Sequence, residues 1–271
     1  METGISLNPA GIDAPVLVEA AQAAEAAGFA SVWCYDHLSG TVLGADRCLD
    51  VWSVLGAVAT STSRVRLGPL VVNVTTRHPI HIAVAAATLQ SLAGGRLVLG
   101  LGAGSSRPSP YAAEMAMFHL VDEPADRRRA RVAETIGFLR ALWSGAASFE
   151  GEWARFSDTS GVAVPTLMCP MVVGANGPRM AELAGRLADG VNFHSSEPAL
   201  ERLVDIARHA AGAADREGLE VSVEAPFARE WLDPGSPTRQ QLATSGVGEV
   251  AVQWNASLGV RAIEDAGRWV Q

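Results

Sequence analysis

The chain has 271 residues, 48% of them hydrophobic, and a formal net charge of −8 with all 21 basic residues arginine. That acidity, with no basic cluster beyond Arg127–Arg131, argues against nucleic-acid binding, and the lack of lysine excludes a Schiff-base or Walker-type lysine mechanism. No apolar run reaches the roughly 18 residues of a membrane span, no basic flank and apolar run mark a signal peptide, and Cys34, Cys48 and Cys169 are too scattered for a disulfide framework or zinc site; a cytoplasmic protein is expected.

Taken in chain order, eight short apolar runs read as strands: Gly4–Leu7, Ser31–Tyr35, Val65–Val72, Leu97–Leu101, Pro170–Val173, Val191–Phe193, Glu220–Val223 and Glu249–Trp254. Continuous apolar runs fit parallel strands buried on both faces. Several follow a helix that ends in glycine. Gly28 closes Ala20–Ala27, Gly94 and Gly95 close Ile82–Leu92, and Gly190 follows Met180–Asp189. Asp13 is expected to cap the first helix, with Pro15 in its first turn, and Pro79 and Pro178 open later helices. Arg127–Trp143 reads as a long amphipathic helix with Val132, Ile136, Leu139 and Trp143 on one face. Ser105–Asp126 and Phe149–Leu167 read as long irregular excursions, and Pro226–Leu242 as a short connection. Eight β–α units predict an α/β fold, a single (β/α)₈ TIM barrel over residues 1–271. A doubly wound open sheet is the competing architecture.

A barrel of this kind places its site at the C-terminal ends of the strands. Those ends carry Asn8, Asp36–His37, Asn73, Gly102–Ser106, Gly174–Gly177, His194–Ser196, Glu224 and Asn255. His37 can give or take a proton near neutrality, with Asp36 to tune it or to bind a cofactor; a polar strand end capping its own loop is the alternative. Gly100–Gly104 lets a ligand approach the backbone, but its spacing departs from the dinucleotide fingerprint. Gly174–Met180 joins a strand to a helix start, where backbone N–H groups favour phosphate, and Arg179 adds charge. An ordinary strand–helix turn is the alternative there. His78 and His81 are spaced for a metal but have no completing set, so no metal site is expected and both are read as structural.

These residues resemble the bacterial-luciferase-like flavin and deazaflavin oxidoreductases. The resemblance rests on Glu25–Trp33 followed by Asp36-His37, on Leu92–Gly104, and on Ala188-Asp-Gly190, in order over residues 4–195. Gly68–Pro79 and Gly174–Met180 are most similar to the methylenetetrahydromethanopterin reductase branch, which uses coenzyme F420. The resemblance implies a cis peptide at Leu70–Val71 bulging against a deazaflavin ring. It implies ring contacts from Asp36, His37 and Asn73, close backbone at Gly102 and Gly104, and a phosphate loop of Gly174, Ala175, Asn176 and Gly177 with Arg179. His37 and Asp36 become the catalytic candidates. Ser105 stands where the sugar-phosphate dehydrogenases of this family carry glutamate, and their phosphate-binding lysines are missing. The implied function is F420-dependent hydride transfer to or from a small organic substrate, by a homodimer. An FMN-dependent monooxygenase, or a flavin-binding barrel without turnover, are the alternatives, the last motivated by a C-terminal part shorter than is common in the family.

Overall fold

The computed structural model describes residues 1–105 and 109–270. The strands are Glu2–Leu7 (β1), Ser31–Cys34 (β2), Arg66–Pro69 (β3), Val72–Asn73 (β4) and Leu99–Gly102 (β5). A small antiparallel hairpin follows, Phe149–Glu150 (β6) with Arg155–Phe156 (β7). Met171–Gly174 (β8), Gly190–His194 (β9), Glu220–Pro226 (β10) and Glu249–Trp254 (β11) complete the set. All but the hairpin join one parallel sheet in the order β3-β2-β1-β11-β10-β9-β8-β5-β4. A parallel bridge between Leu67 and Leu97 brings its two ends together, so the sheet closes into the expected barrel and the open-sheet alternative falls.

Three sequence expectations are corrected. Val65–Val72 is two strands, interrupted by a cis peptide at Leu70–Val71. The pieces serve different neighbours: β3 pairs with β2, whereas β4 pairs with β5. The excursions are also less irregular than their composition suggests. Residues 109–126 include Pro110–Ala112 as a 3₁₀ turn and Ala113–Met117 as a short helix, and the connection read as short over Pro226–Leu242 carries the helix Arg229–Leu232 and most of Pro237–Thr244. Finally, Asp13 stands at the N-cap position before a first-turn proline, but its side chain makes no cap bond; its Oδ1 accepts instead from Arg47 Nη2 at 2.7 Å.

The helices are Ala14–Ala27 (α1), Val51–Ser61 (α2), Pro79–Leu92 (α3), Ala113–Met117 (α4), Ala125–Trp143 (α5), Pro178–Leu187 (α6), Leu200–Gly212 (α7), Arg229–Leu232 (α8), Pro237–Thr244 (α9) and Val260–Val270 (α10). Pro79 and Pro178 stand at their helix starts as read, where a missing N–H costs no helix bond. Strand alternation sorts the apolar side chains into two clusters. Val32, Cys34, Val250 and Val252 join the large layer shared with the helices. Trp33, Leu70, Val98, Val172 and Ala251 fill the barrel itself, with Val71 packed on them. The N-terminal end of the barrel is closed by buried Glu249, which accepts from Ser31 Oγ, Trp33 Nε1 and Arg66 Nη2, each at 2.7 Å.

Glu25 ties α1 to the approach of β3. Its carboxylate accepts from the backbone N–H groups of Ser63, Arg64 and Val65. Partial burial opposes ionisation, but these donors outweigh it and hold the group at about 2 against an ordinary 4.5. Because the folded value is depressed, this stabilisation is complete above the ordinary value and is lost as pH falls through about 2. A Glu25→Gln variant should therefore melt below the wild type at neutral pH, and the two melting curves should converge in strong acid. A gap that persists there would remove ionised Glu25 from the account.

Candidate active site

The barrel opens at its C-terminal end into a cavity of about 730 Å³. Most of the strand-end residues named from sequence line it: Asn8, Asp36, His37, Asn73, Gly102, Gly104, Ser105, Gly174, Ala175, Asn176, His194, Ser196, Glu224 and Asn255, together with Leu70 and Val71. Ser106 lies outside the described residues. Gly177 and Arg179 are absent from the described lining, and Arg179 is exposed on the first turn of α6.

The cis peptide puts Val71 where the neighbouring strands need glycine. A Cβ on Gly102 would fall 2.2 Å from Val71 Cγ2, and one on Gly174 would fall 3.2 Å from Val71 Cγ1. Both glycines, expected to leave room for a ligand, first leave room for Val71. Gly104 takes φ +65°, and a Cβ there would strike the Asn73 amide at 2.7 Å. Glycine is thus required twice over at that position.

Asp36 anchors the far side of the bulge. Its Oδ2 accepts from Arg77 Nε at 2.9 Å and from Asn73 N at 3.1 Å, and its Oδ1 accepts from Arg77 Nη2 at 2.6 Å. The paired guanidinium also reaches Asp50 Oδ1 at 3.1 Å. Such a two-point contact fixes angle as well as distance. Asn73 Oδ1 in turn accepts from Thr75 N and Thr75 Oγ1. Sequence reasoning named Asp36 and Asn73 but gave no partner to Arg77, which holds Asp36, while Asp36 in turn holds Asn73 N.

His37 lies beside Glu114, with Nδ1 3.3 Å from Oε1. The imidazole nitrogen makes no hydrogen bond there among the described residues; Oε1 accepts instead from Leu38 N and Ser39 N, at 3.0 and 2.9 Å. Tyr111 tilts against the imidazole, with ring centroids 5.4 Å apart. Glu114 and Tyr111 belong to the excursion read as irregular, so sequence reasoning missed both. The available signal was an acid three residues from an aromatic, a helical spacing. Tyr35, Leu43 and Gln253 also line the cavity without having been singled out.

Two loops frame the opening. Arg128 of α5, buried, donates to Ala103 O at 3.1 Å and to Gly104 O at 2.6 Å. The sequence reading counted it only as part of a basic cluster. An Arg128→Met variant should free the two carbonyls and weaken cofactor binding about tenfold, the value of one charge-assisted hydrogen bond. Unchanged affinity in a titration would show that the loop holds itself. On the other side, the Ala175 N–H is taken by Asn192 O at 2.9 Å, so it is not free for the phosphate role expected of it. Gly177, at φ 137°, stands before α6, whose start has no side-chain cap. His78 is structural, its Nδ1 accepting from Ile80 N at 3.3 Å.

Known proteins match this chain by family model, by sequence and by structure. Residues 2–229 match the family model described as luciferase-like monooxygenase. The F420-dependent glucose-6-phosphate dehydrogenase of Nakamurella multipartita is 38% identical over 176 residues, 64% of this chain and 50% of that protein. The 5,10-methylenetetrahydromethanopterin reductase of Methanolobus tindarius is 33% identical over 208 residues, 76% of this chain and 58% of that protein. The chain thus spans about half the length of the curated relatives it matches. The solved structure of the coenzyme F420-dependent tetrahydromethanopterin reductase from Methanopyrus kandleri superposes with a TM-score of 0.76 at 21% identity, covering 99% of this chain and 98% of that one. At that identity the likeness speaks for the fold.

Proposed function

The chain belongs to the luciferase-like monooxygenase family, and from that premise we propose that it is a coenzyme F420-dependent oxidoreductase acting on a small organic molecule. The observation that carries this reading is the wall of the cavity. The cis Leu70–Val71 bulge, seated on Gly102 and Gly174, is held from behind by the Asp36–Arg77–Asn73 clamp. That wall and the cavity in front of it fit a flat ring. The uncapped start of α6, reached through Asn176 and Gly177, suits the phosphate of such a cofactor, with Arg179 adding charge from outside the cavity.

When bound, the deazaflavin supplies or accepts the hydride. The chain's residues do the rest. Leu70 and Val71 support one face of the ring. Asp36 works through Arg77 and Asn73 as a positioning residue, because both its oxygens are engaged. His37 gives or takes the accompanying proton at Nε2, while Glu114 steadies the ring from the Nδ1 side. We further propose a homodimer, supported by exposed Val84 and Leu92 on α3 and Leu167 and Met168 beside it, and a cytoplasmic location, supported by three free cysteines. Light scattering on the eluting protein checks the first.

Fluorescence titration of the purified protein with coenzyme F420 and with FMN tests the cofactor. Saturable binding of the deazaflavin, tighter than that of FMN, is expected. Preference for FMN would turn the reading towards a monooxygenase.

A further inference from the structure

The side of the cavity facing the bulge bears on the substrate, given the hydride-transfer reading above. The sheet order sets β10 four places from β3 and four from β4, so Glu224 on β10 lies across the barrel from Leu70–Val71. It lines the cavity, and its Oε1 is buried with no hydrogen-bond partner among the described residues. The groups around it are the Ser6 hydroxyl from β1, the Tyr35 phenol after β2, the Gln253 amide from β11, and His194 on β9. None of the four is a fixed cation. His194 is itself engaged, its Nδ1 2.6 Å from Ser196 Oγ and its Nε2 3.3 Å from Gln253 Nε2.

The other acids of the cavity are each engaged through at least one oxygen. Asp36 is paired with Arg77, and Glu114 accepts two backbone N–H groups beside His37. Glu197 accepts from Ala199 N at 3.2 Å. Among these four, Glu224 alone has a buried carboxyl oxygen without a hydrogen-bond partner among the described residues.

We propose that Glu224 is a specificity-determining residue, whose carboxyl donates a hydrogen bond to an uncharged carbonyl or hydroxyl oxygen of the substrate. The substrate class is then neutral ketones, aldehydes or alcohols, rather than phosphorylated or carboxylated molecules. Burial pushes the Glu224 carboxyl above its ordinary range, and Ser6, Tyr35, Gln253 and His194 pull it only part of the way back. With no fixed cation against it to favour the charged form, this carboxyl serves as the neutral donor. An anionic substrate would meet no compensating charge in these neighbours, and burying an unpaired charge is costly. In the reducing direction the substrate C=O gains a hydride on carbon and a proton on oxygen, giving CH–OH. That hydride, with its two electrons, would be supplied by the reduced deazaflavin. The proton comes from His37, and Glu224 keeps its own.

The test has two arms. Infrared spectroscopy of the cofactor-free protein should show the carbonyl stretch of a protonated carboxylic acid at neutral pH, missing in the isosteric Glu224→Gln variant. That band should shift when cyclohexanone is added, and should not shift with cyclohexanone bearing a carboxylate. With deazaflavin bound, neutral carbonyl compounds should be turned over at least about tenfold better than their anionic counterparts, a margin of one good hydrogen bond. Glu224→Leu should raise KM for a neutral substrate about tenfold. Glu224→Gln should keep KM near the wild-type value and abolish its rise at alkaline pH, a signature that a merely structural role would not give. No protonated band, a band unmoved by cyclohexanone, or preference for the anionic compound would overturn the proposal. Failure of the deazaflavin to bind would instead sink the hydride-transfer reading, and leaves the infrared arm to judge Glu224 by itself.

Discussion

Replacing Arg77 with alanine should lower the free energy of unfolding by about 3–5 kcal/mol, the cost of leaving one partner of a buried ion pair alone. The Asp36 side chain is only 2% exposed and that of Arg77 19%. In the variant, Asp36 keeps one backbone donor, Asn73 N, and loses both guanidinium contacts. The damage would not stop at stability. Asn73 N stands directly after Val72, so the clamp holds the exit of the bulge, and cofactor binding should fall with it. Urea unfolding and deazaflavin titration on the same preparation measure both losses. An Asp36→Asn, Arg77→Met double variant removes both charges and should recover much of the stability but not the binding. Equal recovery of both would mean that the pair has no part in shaping the site.

His37→Ala should lower kcat by about 10²–10⁴-fold, the usual worth of a positioned general acid or base. KM should change little, because Glu114 remains held by Leu38 N and Ser39 N and keeps the loop in place. Added imidazole should restore part of the lost rate if His37 moves a proton. Steady-state kinetics with and without imidazole provide the check; an undiminished kcat would transfer the proton step to another group.

How much of this was legible in the sequence depends on the range of the interaction. Parallel strands buried on both faces leave apolar runs, and glycine-ended helices punctuate them, so the barrel could be read from local signals. The break at Leu70–Val71 could not be read from periodicity, because it is set by which neighbours β3 and β4 pair with; only the resemblance pointed to it. Asp36, His37 and Asn73 were legible as polar residues ending apolar runs. Glu114 was not, since it reaches His37 from a segment whose composition reads as loop. Arg128 looked like one member of a solvated basic cluster, yet it is buried on the Ala103 and Gly104 carbonyls. Gly174–Met180 was recognisable as a strand–helix junction, but the sheet takes the Ala175 N–H and α6 turns Arg179 outward. Motif spacing reported the turn, and the direction of each group depended on packing.

Hydrogen–deuterium exchange with and without saturating deazaflavin bears most directly on the placement of the cofactor. Protection is expected in three peptides: the one spanning Asp36 and His37, the one from Leu70 to Arg77, and the one containing Asn176 and Gly177. The cleft between α1 and α10, lined by Ala23, Ala27 and Gly267, should exchange unchanged. Protection at that cleft, with the strand-end peptides unaffected, would contradict a cofactor seated on the Leu70–Val71 wall.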